Sequence, residues 1–460
     1  MTVHNYTLFQ NNYGTAEMRS IWSEDNMVQK WLDTEKAIVV TMADLDLIPR
    51  HVADEIEKNS STEHVTPAMI AEFLATTKHM GVSLVKAFSK SCDVAGEHYH
   101  LGLTTQDILL TGLTLQMREA YDLIMAQLLD FEAVLLKQAQ RYKSTIMMGR
   151  THGQHATPIT LGFTIASWAY EIRDHIDRLQ ELSKRLFRAK YTATVGTHST
   201  WVYLFGVEKT QQLVTSAAQK IGLANPPIDI QTRTDRLAEV GFVLANVLTS
   251  LGKIGLNIRY LSCEEIREVE EPWDYKNQYS SSTMPNKRNP ESSEWLDSLS
   301  KIAQGNASAL MSITTLNERD ATGSGPLFKC LADNFLLTSA ALSKANYILS
   351  GLTVNAEKMR KNLYLTNGLA MAEAVMLKLW QKSGKKVTAH TLLRNISMQV
   401  VEHGLDFKTV LSEDAEITKY LSLEEIDEAT NPEKYCGDAL LQIETVVAYI
   451  EERRLQDTSE

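Results

Sequence analysis

The sequence predicts an all-α protein built around a bundle of long helices. Three observations carry that expectation. Apolar residues recur in steps of four and three through five segments in the middle of the chain, the spacing of a coiled-coil seam. Glycine and proline, 22 and 10 of 460 residues, are scarce, together about 7% where about 12% is ordinary. The composition is 44% hydrophobic and 22% charged, a globular balance, and a chain of this length buries a sizeable core without disulfide or metal staples.

Residues 1–103 hold short helical patterns separated by polar stretches such as Asn59-Ser60-Ser61-Thr62, and we expect an N-terminal helical domain there. Residues 104–352 are the expected central bundle. Its first seam is Met117, Tyr121, Ile124, Leu128, Phe131 and Leu135, with no glycine or proline between Gly112 and Gly149. That run predicts a helix of about 30 residues. A second seam is Trp168, Ile172, His175, Leu179, Leu182 and Leu186, and a third runs Val240, Leu244, Val247, Leu251, Ile254, Ile258, Leu261. Weaker versions follow at Trp295–Ile313 and Leu327–Ile348. Helices with this spacing pack at about 20° to one another, within a monomer or against copies of the same chain. His175 lies on its seam and reads as a satisfied core histidine, and Met147 and Met148 read as core. The character shifts again at Gly351–Thr353. Residues 353–460 are the expected C-terminal helical domain, ending in Glu451-Glu452-Arg453-Arg454, whose arginines read as a solvated face.

The net charge of −11 argues against nucleic acid or an anionic membrane as the main partner. Cys92, Cys263, Cys330 and Cys436 are far apart, without a Cys-x-x-Cys pair, which suits free thiols in a reducing compartment. No basic and apolar leader opens the chain and no run approaches 18 apolar residues. We therefore expect a cytoplasmic protein.

Three polar segments carry chemistry. The first is Tyr279-Ser280-Ser281-Ser282-Thr283-Met284-Pro285-Asn286-Lys287-Arg288-Asn289-Pro290. Hydroxyls, backbone N–H groups and adjacent cations make it a candidate anion-binding loop. The same composition also suits a polar linker that caps the next helix. The second is Met148-Gly149-Arg150-Thr151-His152-Gly153-Gln154-His155. The His152/His155 spacing is open to metal binding, with His98 and His100 as further ligands. The carboxylate base that accompanies a His-Glu-x-x-His zinc pair is absent, so we expect no metal. The third is His98-Tyr99-His100-Leu101-Gly102-Leu103-Thr104-Thr105-Gln106-Asp107, which also suits a helix N-cap at Thr104 or Thr105.

Taken together, these segments resemble the fumarase/aspartase superfamily. The first resembles its signature loop, Gly-Ser-Ser-x-Met-Pro-x-Lys-x-Asn-Pro, with Ser280 in place of the leading glycine. The Lys287-Arg288-Asn289-Pro290 run is similar to the adenylosuccinate lyase and 3-carboxymuconate cycloisomerase branch. The second and third segments resemble the family's other two conserved regions. Lys78-His79, Gln231 to Arg236, Glu265 to Glu271 and Asn317 to Asp320 extend the likeness over essentially the whole chain.

The resemblance implies a three-domain fold whose central helices form a 20-helix core in a homotetramer, with each active site built from three subunits. It implies β-elimination of fumarate from a succinyl group without a cofactor, on a small dicarboxylate substrate. Ser281 is then the candidate base, Lys287 the cation beside it, and His152 the acid, oriented by Glu294. His79 is a second acid or leaving-group binder. Thr104, Thr105, Gln106, Thr151, Gln231, Ser282, Asn289 and Arg319 are candidate substrate-binding residues, and Asp107 is structural. Four positions depart from the adenylosuccinate lyase pattern: Asn12-Tyr13 replaces Arg-Tyr, Lys78-His79-Met80 replaces Arg-His-Asp, Asn286 replaces a histidine, and Phe328 replaces an arginine. Lys78 or Lys329 is then the candidate substitute for a missing phosphate ligand, and a non-nucleotide succinyl compound or a cycloisomerase reaction is the alternative.

Overall fold

The computed structural model describes residues 7–229, 234–313 and 320–457. Among the described residues are eighteen α-helices and four short strands, so the fold is all-α as expected. The five seams fall on helices Thr105–Arg141, Leu161–Leu186, Asp235–Leu261, Glu291–Met311 and Ser324–Ser350. The first is 37 residues long, about 55 Å at 1.5 Å per residue. Every residue of the three strict seams is buried, with none more than 7% exposed. His175 is among them, its Nε2 lying 2.8 Å from Ser250 Oγ. A histidine on an apolar stripe is accommodated because it finds a polar partner there.

The chain divides into two compact units, and each of the five long helices contributes to both. One comprises residues 1–128, 175–251 and 298–343. Its helices start at side-chain caps: Ser23 Oγ accepts from Asn26 N–H, and Thr66 Oγ1 from Met69 N–H, with Pro67 at the first helical position. These satisfy N–H groups that a helix leaves orphaned. An apolar cluster of Val28, Trp31, Leu32, Phe88, Tyr99 and Ile108 forms one core, with the Phe88 and Tyr99 rings stacked at 3.8 Å. A second core gathers Tyr191, Trp201, Leu213 and Leu223.

The other unit comprises residues 129–174, 252–297 and 344–460. It holds both strand pairs: Ile146–Thr151 with Gln154–Thr160, and Val269–Glu270 with Thr353–Val354, each antiparallel. Its short C-terminal helices enclose Val375, Leu379, Leu393, Ile396, Phe407 and Ile426. The tail is a correction to the sequence reading. Arg454 is not on a solvated face: it donates to Glu132 Oε2 at 2.8 Å and to Leu129 O at 2.9 Å. Glu132 is fully buried and is also gripped by Arg173 through two bonds of 2.8 and 2.7 Å. A buried carboxylate demands such partners, and a charge pattern cannot announce a partner more than 300 residues away.

Candidate active site

The segment around His152 is a β-hairpin rather than a loop between helices. His152 and Gly153 are the two residues of its turn, with φ of 54° and 75°. Positive φ at both positions is the requirement of a type I′ two-residue turn. Glycine adopts it freely, whereas a histidine gives up about 1–2 kcal/mol, so strain is concentrated on the candidate acid. Thr151 and His152 are exposed at the tip.

The base of the hairpin is built differently. Arg150 donates to both oxygens of Glu268, at 3.0 and 2.7 Å, and Glu268 is fully buried. Asn362 Nδ2 adds a bond to the same carboxylate at 2.8 Å. Gly149 sits at the register shift between Met148 and Arg150, where a Cβ would lie 2.5 Å from Thr157 O. Met147 and Met148 are buried, as the sequence suggested. His155 is half-buried with Nδ1 lacking a partner. Burial, and then the Arg150 charge, lower its pKa.

The signature loop is exposed but internally tied. Ser281 Oγ accepts from Met284 N–H at 2.9 Å and from Thr283 N–H at 3.3 Å. Two donors aimed at a hydroxyl oxygen are what an alkoxide needs. Ser280, which replaces the family's glycine, closes the loop: its Oγ donates to Lys287 O at 2.6 Å and accepts from Asn289 N–H at 3.0 Å. Asn289 Nδ2 donates to Ser280 O at 2.8 Å, so part of that amide holds the loop rather than a ligand. Ser282 and Lys287 are exposed. Arg288 leaves the loop toward Glu270 Oε2, at 2.6 Å. Glu294 follows on helix Glu291–Met311 and accepts from Arg259 Nε at 3.1 Å. Among the described residues no hydrogen bond joins Glu294 to His152 within one chain.

The remaining candidates lie in the first unit. His79 caps helix Met80–Ser89, its Nδ1 accepting from Val82 N–H at 3.2 Å. That bond places the ring proton on Nε2, which faces away as a donor. Thr105 packs onto the same helix, since a Cβ on Gly81 would lie 2.3 Å from Thr105 Oγ1. Thr104 N–H donates to Asp107 Oδ2 at 3.0 Å. Asp107 is fully buried and also accepts from Thr192 N–H, Thr192 Oγ1 and Ala193 N–H. Burial pushes its carboxyl up to about 7 against those four donors. Its role in shaping the chain at Thr104–Gln106 is structural. His100 Nδ1 lies 2.6 Å from the buried Glu35; burial opposes its protonation, but the Glu35 bond and charge prevail and raise its pKa.

Gln231 and Arg319 lie outside the described residues. Lys329 is exposed and paired with Asp333 four residues on. Among the described residues no cluster of three or more His, Cys, Asp or Glu side chains has the geometry to hold a metal ion. Among the described residues one helix, Asp235–Leu261, is long and apolar enough to cross a membrane, and 67% of its most apolar window is buried inside the protein. Sequence reasoning missed Ser280, Glu268 and Glu271. Ser280 read only as a departure from the family glycine. The glutamates were visible as a run but not as anchors.

Comparison with known proteins gives consistent results. The family described as "Lyase" matches residues 12–305, and "Adenylosuccinate lyase C-terminus" matches residues 368–446. An adenylosuccinate lyase of Methanocaldococcus jannaschii is 37% identical, covering 96% of this chain and 95% of its own. An N-acetyl-S-(2-succino)cysteine lyase of Dickeya dadantii is 34% identical over 96% of each chain. Among solved structures, a 3-carboxy-cis,cis-muconate lactonizing enzyme from Pseudomonas putida superposes with a TM-score of 0.89 at 34% identity. That match covers 96% of this chain and 98% of the other.

Proposed function

The chain belongs to the fumarase/aspartase superfamily, in its adenylosuccinate lyase-type branch of carbon–nitrogen lyases, and from that premise we propose that it cleaves adenylosuccinate to AMP and fumarate. The observation that carries the mechanism is the pair of N–H groups on Ser281 Oγ. A serine hydroxyl is too weak an acid to ionise unaided. Two fixed dipoles and the Lys287 cation on the same loop stabilise its alkoxide. The alkoxide takes the proton from the carbon next to the departing C–N bond's carbon. The electron pair spreads into the adjacent carboxylate as an enediolate, with Lys287 holding the charge. His152 then protonates the leaving nitrogen as the C–N bond breaks. Thr104, Thr105, Gln106, Thr151, Ser282 and Asn289 are proposed contacts to the substrate, and the Nε2–H of His79 a donor to the leaving group. Gln231 and Arg319 are proposed contacts on the strength of the family pattern alone.

We place these groups in a homotetramer whose sites draw on three subunits, with Glu294 of one chain orienting His152 of another. Two observations support this. Within one chain Glu294 is engaged by Arg259. The long helices also leave large apolar side chains exposed, among them Phe242, Leu256, Tyr260, Ile302 and Met311, which a partner subunit would cover. Three domains at 1–103, 104–352 and 353–460 are part of the same proposal. Light scattering on the purified protein tests the assembly; a monomeric mass removes it.

A second reading has its own observation. Phe328 stands where the family pattern has an arginine, which leaves Lys78 or Lys329, the latter paired with Asp333, as the candidate substitute. A phosphate left without charged hydrogen bonds forfeits about 1.5–3 kcal/mol for each. The same elimination on a smaller succinyl compound, such as a 2-succino thioether, is therefore the alternative. Absorbance at the purine band with adenylosuccinate, together with fumarate detection, separates the two. Rapid AMP and fumarate release supports the nucleotide; fumarate only from a panel of succinyl amines and thioethers supports the alternative.

A further inference from the structure

Glu268, Val269, Glu270 and Glu271 form a short stretch that the proposed mechanism does not use, yet each of its carboxylates holds a different part of the site's framework. Its backbone is fixed on both sides. Glu268 N–H donates to Leu261 O at 2.9 Å and Glu268 O accepts from Asn355 N–H at 3.0 Å. Val269 and Glu270 then pair with Val354 and Thr353. From this support Glu268 binds Arg150, at the base of the hairpin that carries His152. Glu271 accepts from Ser292 N–H at 3.3 Å and Ser293 N–H at 2.5 Å, at the start of the helix that carries Glu294. Glu270 binds Arg288 in the signature loop, where Tyr275 OH also meets the guanidinium at 3.1 Å and the Tyr275 ring lies 5.7 Å beneath it.

Arg288 sits between Lys287 and Asn289, whose backbone O and N–H are both held by Ser280 Oγ. Holding the Arg288 side chain on Glu270 therefore anchors the short backbone run from which Lys287 projects. The Ser280 bridge to Lys287 O and Asn289 N–H carries the same constraint to the residue next to Ser281. We propose that Glu270, acting through Arg288, is a positioning residue for the elimination: it sets Lys287 and the Ser281 loop against a strand that also anchors the His152 hairpin. This rests on the roles given to Ser281 and Lys287 above. A misplacement of about 1 Å in such a group costs about 10²-fold in rate without loss of fold.

The test uses the full-length protein with Glu270→Gln and Glu270→Asp. Glu270 is one-third exposed, and a melting curve checks that both variants fold. In Glu270→Gln, kcat falls about tenfold or more while KM moves less than about threefold, and Glu270→Asp recovers part of the loss. In parallel, trypsin cuts after Lys287 or Arg288 several times faster than in the parent, read by mass spectrometry. Unchanged kcat overturns the proposal whatever the cleavage rate, and lowered kcat with unchanged cleavage overturns it too, since the effect then bypasses the loop. If the parent protein releases fumarate from no substrate tested, the functional reading falls. The cleavage comparison still decides whether Glu270 anchors the loop.

Discussion

The hairpin that carries His152 and the loop that carries Ser281 belong to the same unit, but they are held by different physics. The hairpin rests on Arg150 and Glu268, with a side-chain exposure of 9% and 0%. Breaking such a pair leaves an uncompensated buried charge, at a cost of about 3–5 kcal/mol. The loop is tied by its own serine and backbone bonds and by Arg288–Glu270, one-third exposed on each side. An exposed pair contributes about 0–1 kcal/mol. The proposed acid is thus mounted on a fixed support and the proposed base on an adjustable one. That division suits a reaction in which the base must be shielded from water once substrate is bound.

Four substitutions break or sharpen this contrast. Ser281→Ala removes the proposed base and leaves the Glu268 and Glu270 supports alone; turnover is expected to fall about 10²–10⁴-fold with an unchanged melting curve and oligomer. Near-normal turnover would take Ser281 out of the mechanism. Glu268→Ala strands the buried Arg150 guanidinium and destabilises the unit by about 3–5 kcal/mol, seen as a large drop in thermal midpoint. Arg288→Ala, which breaks only the exposed pair, shifts that midpoint little. Gly149→Ala drives a methyl into Thr157 O, where backbone must yield, and is expected to cost about 1–3 kcal/mol with partial loss of activity.

The smallest effect is a pH dependence. Burial and Arg150 hold the His155 pKa below its usual value. Between that lowered value and the unfolded value near 6.5 the unfolded chain binds more protons, so stability falls as pH drops below about 6.5. His155→Gln flattens the thermal midpoint between pH 7 and 5. An unchanged slope would mean that His155 is not the group responsible.

Much of this architecture is readable in the sequence, for a physical reason. A helix that buries one face over about five or six turns must repeat that face, and the seams at Met117–Leu135, Trp168–Leu186 and Val240–Leu261 did so without a miss. The signature loop was legible because its serines, prolines and cations are concentrated in twelve residues. The hairpin was not, since Met147–Pro158 read as punctuation between helices. Its one local signal was a His-Gly pair of the kind a two-residue turn uses. Partnerships over long separations left no local trace at all. Arg150 finds Glu268 across 118 residues, and Arg454 finds Glu132 across 322. Neither charge pattern nor periodicity encodes such pairs.

Subunit complementation tests the account most directly, because the acid and base are assigned to segments of different chains. Ser281→Ala and His152→Gln, each inactive alone, are mixed, dissociated and reassembled, and native mass spectrometry verifies hybrid tetramers. The account predicts that a measurable part of the fumarate-releasing activity returns, since some sites then draw an intact Ser281 loop and an intact His152 hairpin from different subunits. Verified hybrids with no recovered activity would contradict it.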